Sequence, residues 1–149
     1  MIQRIQTLHF LIAILLICLS LFGLAFFSFQ LKESSLNLNP FGLVSDNDSS
    51  PYYFWIVQVG ISLILLLTVF SYKNRKRQIL LGWTAFSLHL FLMSWILFTV
   101  FFTSPLKDCN DYSMELGFYS YASAFLFIFL GIKGVRKDKA LIDSLNRLR

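Results

Sequence analysis

The chain has 149 residues, of which 56% are hydrophobic and 14% charged, and its net charge is +5. A soluble domain carries about 25% charged residues; here the apolar residues come in unbroken blocks without polar faces, which excludes an ordinary soluble fold and points to a polytopic membrane protein. The cations gather at the ends of those blocks and no basic stripe interleaves with stacking aromatics, which argues against a nucleic-acid partner.

Residues 1–7 are polar, with one cation, Arg4. Residues 8–29 are almost wholly apolar and long enough to span the hydrocarbon core. Gly23-Leu24-Ala25 weakly resembles a signal-peptidase site, but the apolar run continues through Phe26, Phe27 and Phe29, so the segment is expected to be retained. Cys18 falls within it, as a small buried side chain. His9 lies near its start, as an interfacial anchor.

Residues 30–50 form the longest polar stretch, read as a loop. Asp46-Asn47-Asp48 lacks the glycine and distant glutamate of a calcium loop. Ser50-Pro51 is a good helix start, and Tyr52, Tyr53 and Trp55 suit an interfacial belt. A second span is expected over 52–72.

Then comes Lys73-Asn74-Arg75-Lys76-Arg77, with four cations in five residues between two apolar runs. It reads as a short cytoplasmic loop. A third span is expected over 79–102, with His89 near its middle on a face shared with Gly82, Ala85, Met93 and Ile96. That histidine is expected to hydrogen-bond across helices. Thr84, Ser87 and Ser94 lie on other faces of this run, and Gln58 and Ser62 stand one turn apart in the second. A short loop over 103–112 holds Cys109, a lone thiol.

The fourth span is expected over 113–132, with Gly117, Ser120 and Ala124 in a stripe of small residues that admits close helix packing. The tail, 136–149, places Leu141, Ile142, Leu145 and Leu148 at helical spacing, with Arg136, Lys139 and Arg147 largely on other faces. It reads as a separate short amphipathic helix on the inner leaflet or against the basic loop. Asp138 falls within its apolar arc. Two readings follow: it meets a cation, Arg4, Arg75 or Arg77, or it favours the amino-terminal dipole of a tail helix starting nearby.

Eleven of the thirteen Lys/Arg (Arg4, the basic run, and the tail through Arg147 and Arg149) fall on one side of this arrangement, against Lys32 and Lys107 on the other. The positive-inside rule puts both termini and the basic run in the cytoplasm. The expected fold is all-α: a single domain, four transmembrane helices in an up-down-up-down bundle, plus the cytoplasmic amphipathic helix.

No apolar run carries Asp, Glu, Lys or Arg in its interior, which weakens a proton relay, ion-coupled transport or voltage sensing. No nucleophile–base set, phosphate-binding glycine loop or paired-cysteine motif is present. The expectation is no enzyme activity, no cofactor and no metal.

The two ends, Met1-Ile2-Gln3-Arg4-Ile5-Gln6-Thr7 leading into a span and Arg136-Lys137-Asp138 leading to Arg147-Leu148-Arg149, resemble the domain-of-unknown-function family 4293. The resemblance covers essentially the whole chain. It implies a small four-span protein in the inner membrane of two-membraned bacteria, and no known activity. The tail segment Ile142-Asp143-Ser144-Leu145-Asn146 departs from the more basic, alanine-containing form of that family. The functional expectation is a non-catalytic accessory or structural subunit of an inner-membrane complex, in protein export or envelope assembly, with membrane lipids and other integral membrane proteins as partners. The alternative is a small oligomeric transporter or channel component.

Overall fold

The structure is a computed structural model and describes residues 3–30, 35–45, 49–102 and 111–147. Among these residues the chain forms α1 (Gln3–Leu21), β1 (Phe27–Gln30), β2 (Ser35–Asn39), β3 (Gly42–Ser45), β4 (Ser49–Pro51), α2 (Phe54–Phe70), α3 (Arg75–Phe102), β5 (Asp111–Met114) and α4 (Leu116–Arg147). The five strands make one antiparallel sheet in the order β4-β3-β2-β1-β5.

That sheet overturns the all-α expectation. So does helix length: two helices, α3 and α4, are long and apolar enough to cross a membrane, while the apolar stretches Ile5–Leu21 and Phe54–Phe70 are shorter. The four-span, up-down-up-down bundle is therefore corrected to a mixed α and β fold. The physical reason begins at Gly23, whose φ of +83° is left-handed and stops α1. Beyond it the pattern changes period. Phe27-Ser28-Phe29-Gln30 and Ser35-Leu36-Asn37-Leu38-Asn39 alternate apolar and polar, which suits a half-buried strand and not a helix.

The strand register turns this alternation into a two-faced sheet. Phe27 stands opposite Leu38, and Phe29 opposite Leu36. Phe27, Phe29, Leu38 and Leu43 are buried. This apolar face closes one end of the helical body: the Phe27 and Phe118 ring centroids are 4.9 Å apart, and those of Phe26 and Tyr121 6.0 Å. The opposite face is polar. Ser28 Oγ donates to Glu115 Oε1 at 2.8 Å, and Ser113 Oγ donates to the same oxygen at 3.1 Å.

The most extensive helix contact is that of α1 with α4, followed by α2 with α3 and then α3 with α4. Glycines set how closely they approach. A Cβ at Gly131 would stand 2.7 Å from the Phe10 ring, and one at Gly82 2.9 Å from Ile132 Cγ1. Gly117 is tighter in kind, because its neighbours are backbone: a Cβ there would lie 2.6 Å from the Leu24 carbonyl oxygen, and its amide donates to the Ala25 oxygen at 3.1 Å. Helix hydroxyls mostly return to their own backbone: Thr68 Oγ1 donates to the Ile64 carbonyl at 2.8 Å, Ser94 Oγ to Leu90 at 2.9 Å, Thr99 Oγ1 to Trp95 at 2.9 Å. A cross-helix bond does join Gln6 Nε2 to the Gly134 carbonyl at 3.0 Å.

The tail is also corrected. Helix α4 runs 32 residues without a break through Arg147, so residues 136–147 continue it and do not form a separate amphipathic helix. At 1.5 Å per residue α4 is about 48 Å long, more than the roughly 30 Å hydrocarbon core. Its carboxy-terminal turns reach the α2–α3 turn, where Lys139, Ile142 and Asp143 line one space with Lys73, Asn74, Arg75 and Lys76. Likewise Arg75, Lys76 and Arg77 are not loop residues but the first turn of α3. Asn74 caps it, its Oδ1 accepting from the Arg77 amide at 3.2 Å.

The glycine geometry yields a contrast. Gly117→Ala presses a methyl group on the Leu24 and Ala25 carbonyls and is expected to cost about 1–3 kcal/mol. Gly60→Ala, on α2 with nothing within 4 Å of its Cβ, is expected to be neutral or to gain up to about 1 kcal/mol through helix propensity. Unfolding by sodium dodecyl sulfate in mixed micelles measures both, and an equal response would contradict the packing account.

Candidate functional site

The antiparallel course of the helices brings three polar side chains from three helices into the interior. Gln58 on α2, His89 on α3 and Tyr121 on α4 are each fully buried. The His89 and Tyr121 rings stack, with centroids 4.1 Å apart and planes 28° from parallel. Gln58 lies at a similar depth. The Phe54 and Trp95 rings meet edge to face at 6.3 Å, and one turn along α2 from Phe54 and one and a half turns back along α3 from Trp95 reach Gln58 and His89.

None of these groups is satisfied in the ordinary way. Both His89 nitrogens, the Tyr121 hydroxyl and both Gln58 side-chain atoms lack a hydrogen-bond partner among the described residues. The Tyr121 backbone faces the imidazole without reaching hydrogen-bond geometry. Buried polar atoms in this condition cost about 1–3 kcal/mol each. They are held by the apolar packing around them, with Ala85, Leu92, Ile96 and Ala124 fully buried on the same helices. The cluster is chemically able to donate, accept and move a proton, but it opens to no surface, since all three side chains have zero exposure.

The expected site residues fall in three places. His89 is in this interior cluster. Gly117, Ser120 and Ala124 are buried on α4, and Ser120 Oγ donates to the Gly117 carbonyl at 2.9 Å; their face is turned into the protein. Lys73, Lys76 and Arg77 are exposed and Arg75 is half-buried, at the opposite end from the sheet. Arg136 lies at that end too, its Cζ 5.0 Å from the Trp83 ring centre, a cation–π contact. Arg4 is in the first turn of α1 and Arg147 ends α4. Arg149, Cys109 and Asp46-Asn47-Asp48 lie outside the described residues.

Asp138 is buried, and its Oδ1 has no hydrogen-bond partner among the described residues. Neither Arg75 nor Arg77 forms an ion pair with it among the described side chains. The side chain of Arg4, the third cation considered, lies outside the described residues. The dipole reading fails, because α4 begins at Leu116 and Asp138 sits well inside it. Among the described residues no group of three His, Cys, Asp or Glu is placed to hold a metal ion. Tyr121 went unnoticed in sequence, for it stands in an aromatic-rich run. The available signal is its spacing of four from Gly117 and seven from Ile128, which puts it on the buried stripe.

The chain matches the family described as Domain of unknown function (DUF4293) over residues 2–148, nearly its whole length, and belongs to that family. No curated protein matches it.

The interior cluster predicts an asymmetry between hydroxyl and ring. Tyr121→Phe removes an unpartnered hydroxyl and keeps the stack, so stability is expected to hold or to rise by about 1 kcal/mol. Tyr121→Ala is expected to cost about 3–5 kcal/mol by opening a cavity. Thermal unfolding in detergent checks both; a loss above about 2 kcal/mol for Tyr121→Phe would mean that the hydroxyl has a partner in the folded protein.

Proposed function

We propose that this member of the DUF4293 family is a non-catalytic accessory subunit of a protein complex in a bacterial inner membrane, working in protein export or envelope assembly. Membrane association is supported by the two helices of spanning length and by the body's outer surface. That surface carries large exposed apolar side chains on every helix, among them Leu15, Leu63, Phe91, Phe98 and Leu126. A surface of this kind is costly in water and suits lipid or protein.

The orientation follows from charge. Gln6 packs beside Gly134, so the start of α1 lies at the same end as the close of α4 and the turn into α3. The described cations Lys73, Arg75, Lys76, Arg77, Lys133, Arg136, Lys137 and Lys139 thus share one end, with the sheet at the other. In the proposed arrangement the basic end faces the cytoplasm and the sheet faces outward.

The observation that carries the subunit reading is the outer face of α3. Thr84, Ser87 and Ser94 are exposed there beside Phe91 and Trp95, in the middle of a helix of 28 residues. Short hydroxyl side chains between large rings leave notches into which a partner helix can pack. The small residues of α4, in contrast, are already occupied. The transporter alternative draws on the buried Gln58, His89 and Tyr121, which place polar groups at mid-depth.

The test is purification of the tagged chain in mild detergent, as wild type and as Ser87→Leu with Ser94→Leu. A fixed, stoichiometric set of other membrane proteins is expected with the wild type. The double substitution is expected to weaken the contact by about 1 kcal/mol, roughly fivefold in recovery. A homo-oligomer alone, or a partner set indifferent to the substitutions, would contradict the reading.

A further inference from the structure

The turn between α2 and α3 and the last turns of α4 enclose a groove at the basic end. Lys73 and Asn74 from the turn, Arg75 and Lys76 from α3, and Lys139, Ile142 and Asp143 from α4 line a space of about 320 Å³. Lys139, Ile142 and Asp143 are three and four apart, so they share one face of α4. Four cations therefore converge on one groove against a single carboxylate. Among the described side chains no ion pair neutralises any of them. Held together in this way they repel, and an anion between them relieves the repulsion.

Two further features add to the field. The first turn of α3 leaves amides without intrahelical acceptors, and Asn74 covers that of Arg77. The positive end of this helix dipole therefore opens at the groove. The cations themselves differ in kind: Arg75 is half-buried and presents a planar fork suited to two oxygens of a phosphate, while Lys76 is exposed and Lys139 half-buried, each a point charge.

The surroundings say what else the ligand carries. Ile142 provides apolar lining, and Tyr72, which precedes Lys73, and Leu80, one turn from Lys76 on the same face of α3, are exposed, at 51% and 65%. Leu80 is five residues along α3 from Arg75, about 7.5 Å toward the apolar body. A charged mouth that leads straight onto apolar surface fits an amphiphile, with its charge in the groove and its chains along the helices. Asp143 adds one acceptor at the rim, which fits a headgroup bearing hydroxyls.

We propose that this groove binds the phosphodiester headgroup of an anionic phospholipid, with Arg75, Lys76 and Lys139 on the phosphate and Asp143 accepting from a headgroup hydroxyl. The assignment rests on the membrane location proposed above and is independent of the subunit role. It makes the junction of the α2–α3 turn with α4 a specific lipid site, beyond the general attraction of basic segments to an anionic leaflet.

The full chain in lipid nanodiscs of mixed phosphatidylglycerol and phosphatidylcholine provides the test, read as the lipids retained by native mass spectrometry. Three forms are compared: wild type, Arg75→Gln with Lys139→Gln, and the charge-matched control Lys133→Gln with Lys137→Gln, whose sites do not line the groove. The wild type and the control are expected to retain phosphatidylglycerol over phosphatidylcholine by about tenfold, and the groove variant to lose that preference. Equal loss in both variants would overturn the site, because charge alone would then explain the binding. Displacement of the lipid by equimolar soluble glycerol phosphate would overturn the lipid as the ligand. Failure of the chain to enter nanodiscs would overturn the membrane reading along with the site, whereas entry without headgroup preference would overturn the site alone.

Discussion

The close approach of α1 to α4 is the constraint on which the rest depends. It is made by absent side chains. Gly131 receives the edge of Phe10, Gly134 receives Gln6, and Gly117 lets the backbone at Leu24 and Ala25 lie against the start of α4. With hydrogen in place of a side chain, these positions let the two helices approach closely, and that close packing carries their association. The three glycines spread along most of α4 and fix α1 in register from one end to the other. That register puts Phe26 and Phe27 over Tyr121 and Phe118, and so places the sheet. It also brings the start of α1 to the end where the α2–α3 turn meets α4.

From this one interface the body acquires two unlike ends. The sheet end is closed by aromatic side chains and presents Ser28, Ser113 and Glu115 outward, bonded to one another. The basic end is open and holds, around a groove, cations that form no ion pair among the described side chains. Between them the interior stack of His89 on Tyr121 is carried without hydrogen-bond partners among the described residues. Such a stack tolerates loss of its polar atoms better than loss of its rings. The two ends are thus the places where chemistry meets an environment, and the middle is where packing dominates.

Much of this was legible in the sequence, but unevenly. The basic run at Lys73 to Arg77, the helices around it and the inward face of Gly82, Ala85 and His89 follow from hydropathy and helical spacing. The sheet did not emerge, although Phe27-Ser28-Phe29-Gln30 and Leu36-Asn37-Leu38-Asn39 alternate plainly. Composition joined Phe26 to Phe29 onto the preceding apolar run, and only the change of period after Gly23 separates them. Pairing of β1 with β5 spans more than eighty residues, and no local pattern announces it. The tail misleads for the opposite reason: a rise in charge at Lys133 looks like an element boundary, yet Lys, Arg, Ala and Leu all sustain a helix, so α4 continues. Tyr121 was hidden by its company, one ring among many.

The polarity of the two ends is the central claim, and side-specific thiol labelling tests it most directly. With Cys18→Ala and Cys109→Ala as background, Ser113→Cys on the sheet and Ser144→Cys on the last turns of α4 each put a thiol at an exposed position. A membrane-impermeant maleimide is applied to bacterial spheroplasts before and after lysis. The account predicts labelling at position 113 in intact spheroplasts and at position 144 only after lysis. Labelling of both positions from the same side of the membrane would contradict it.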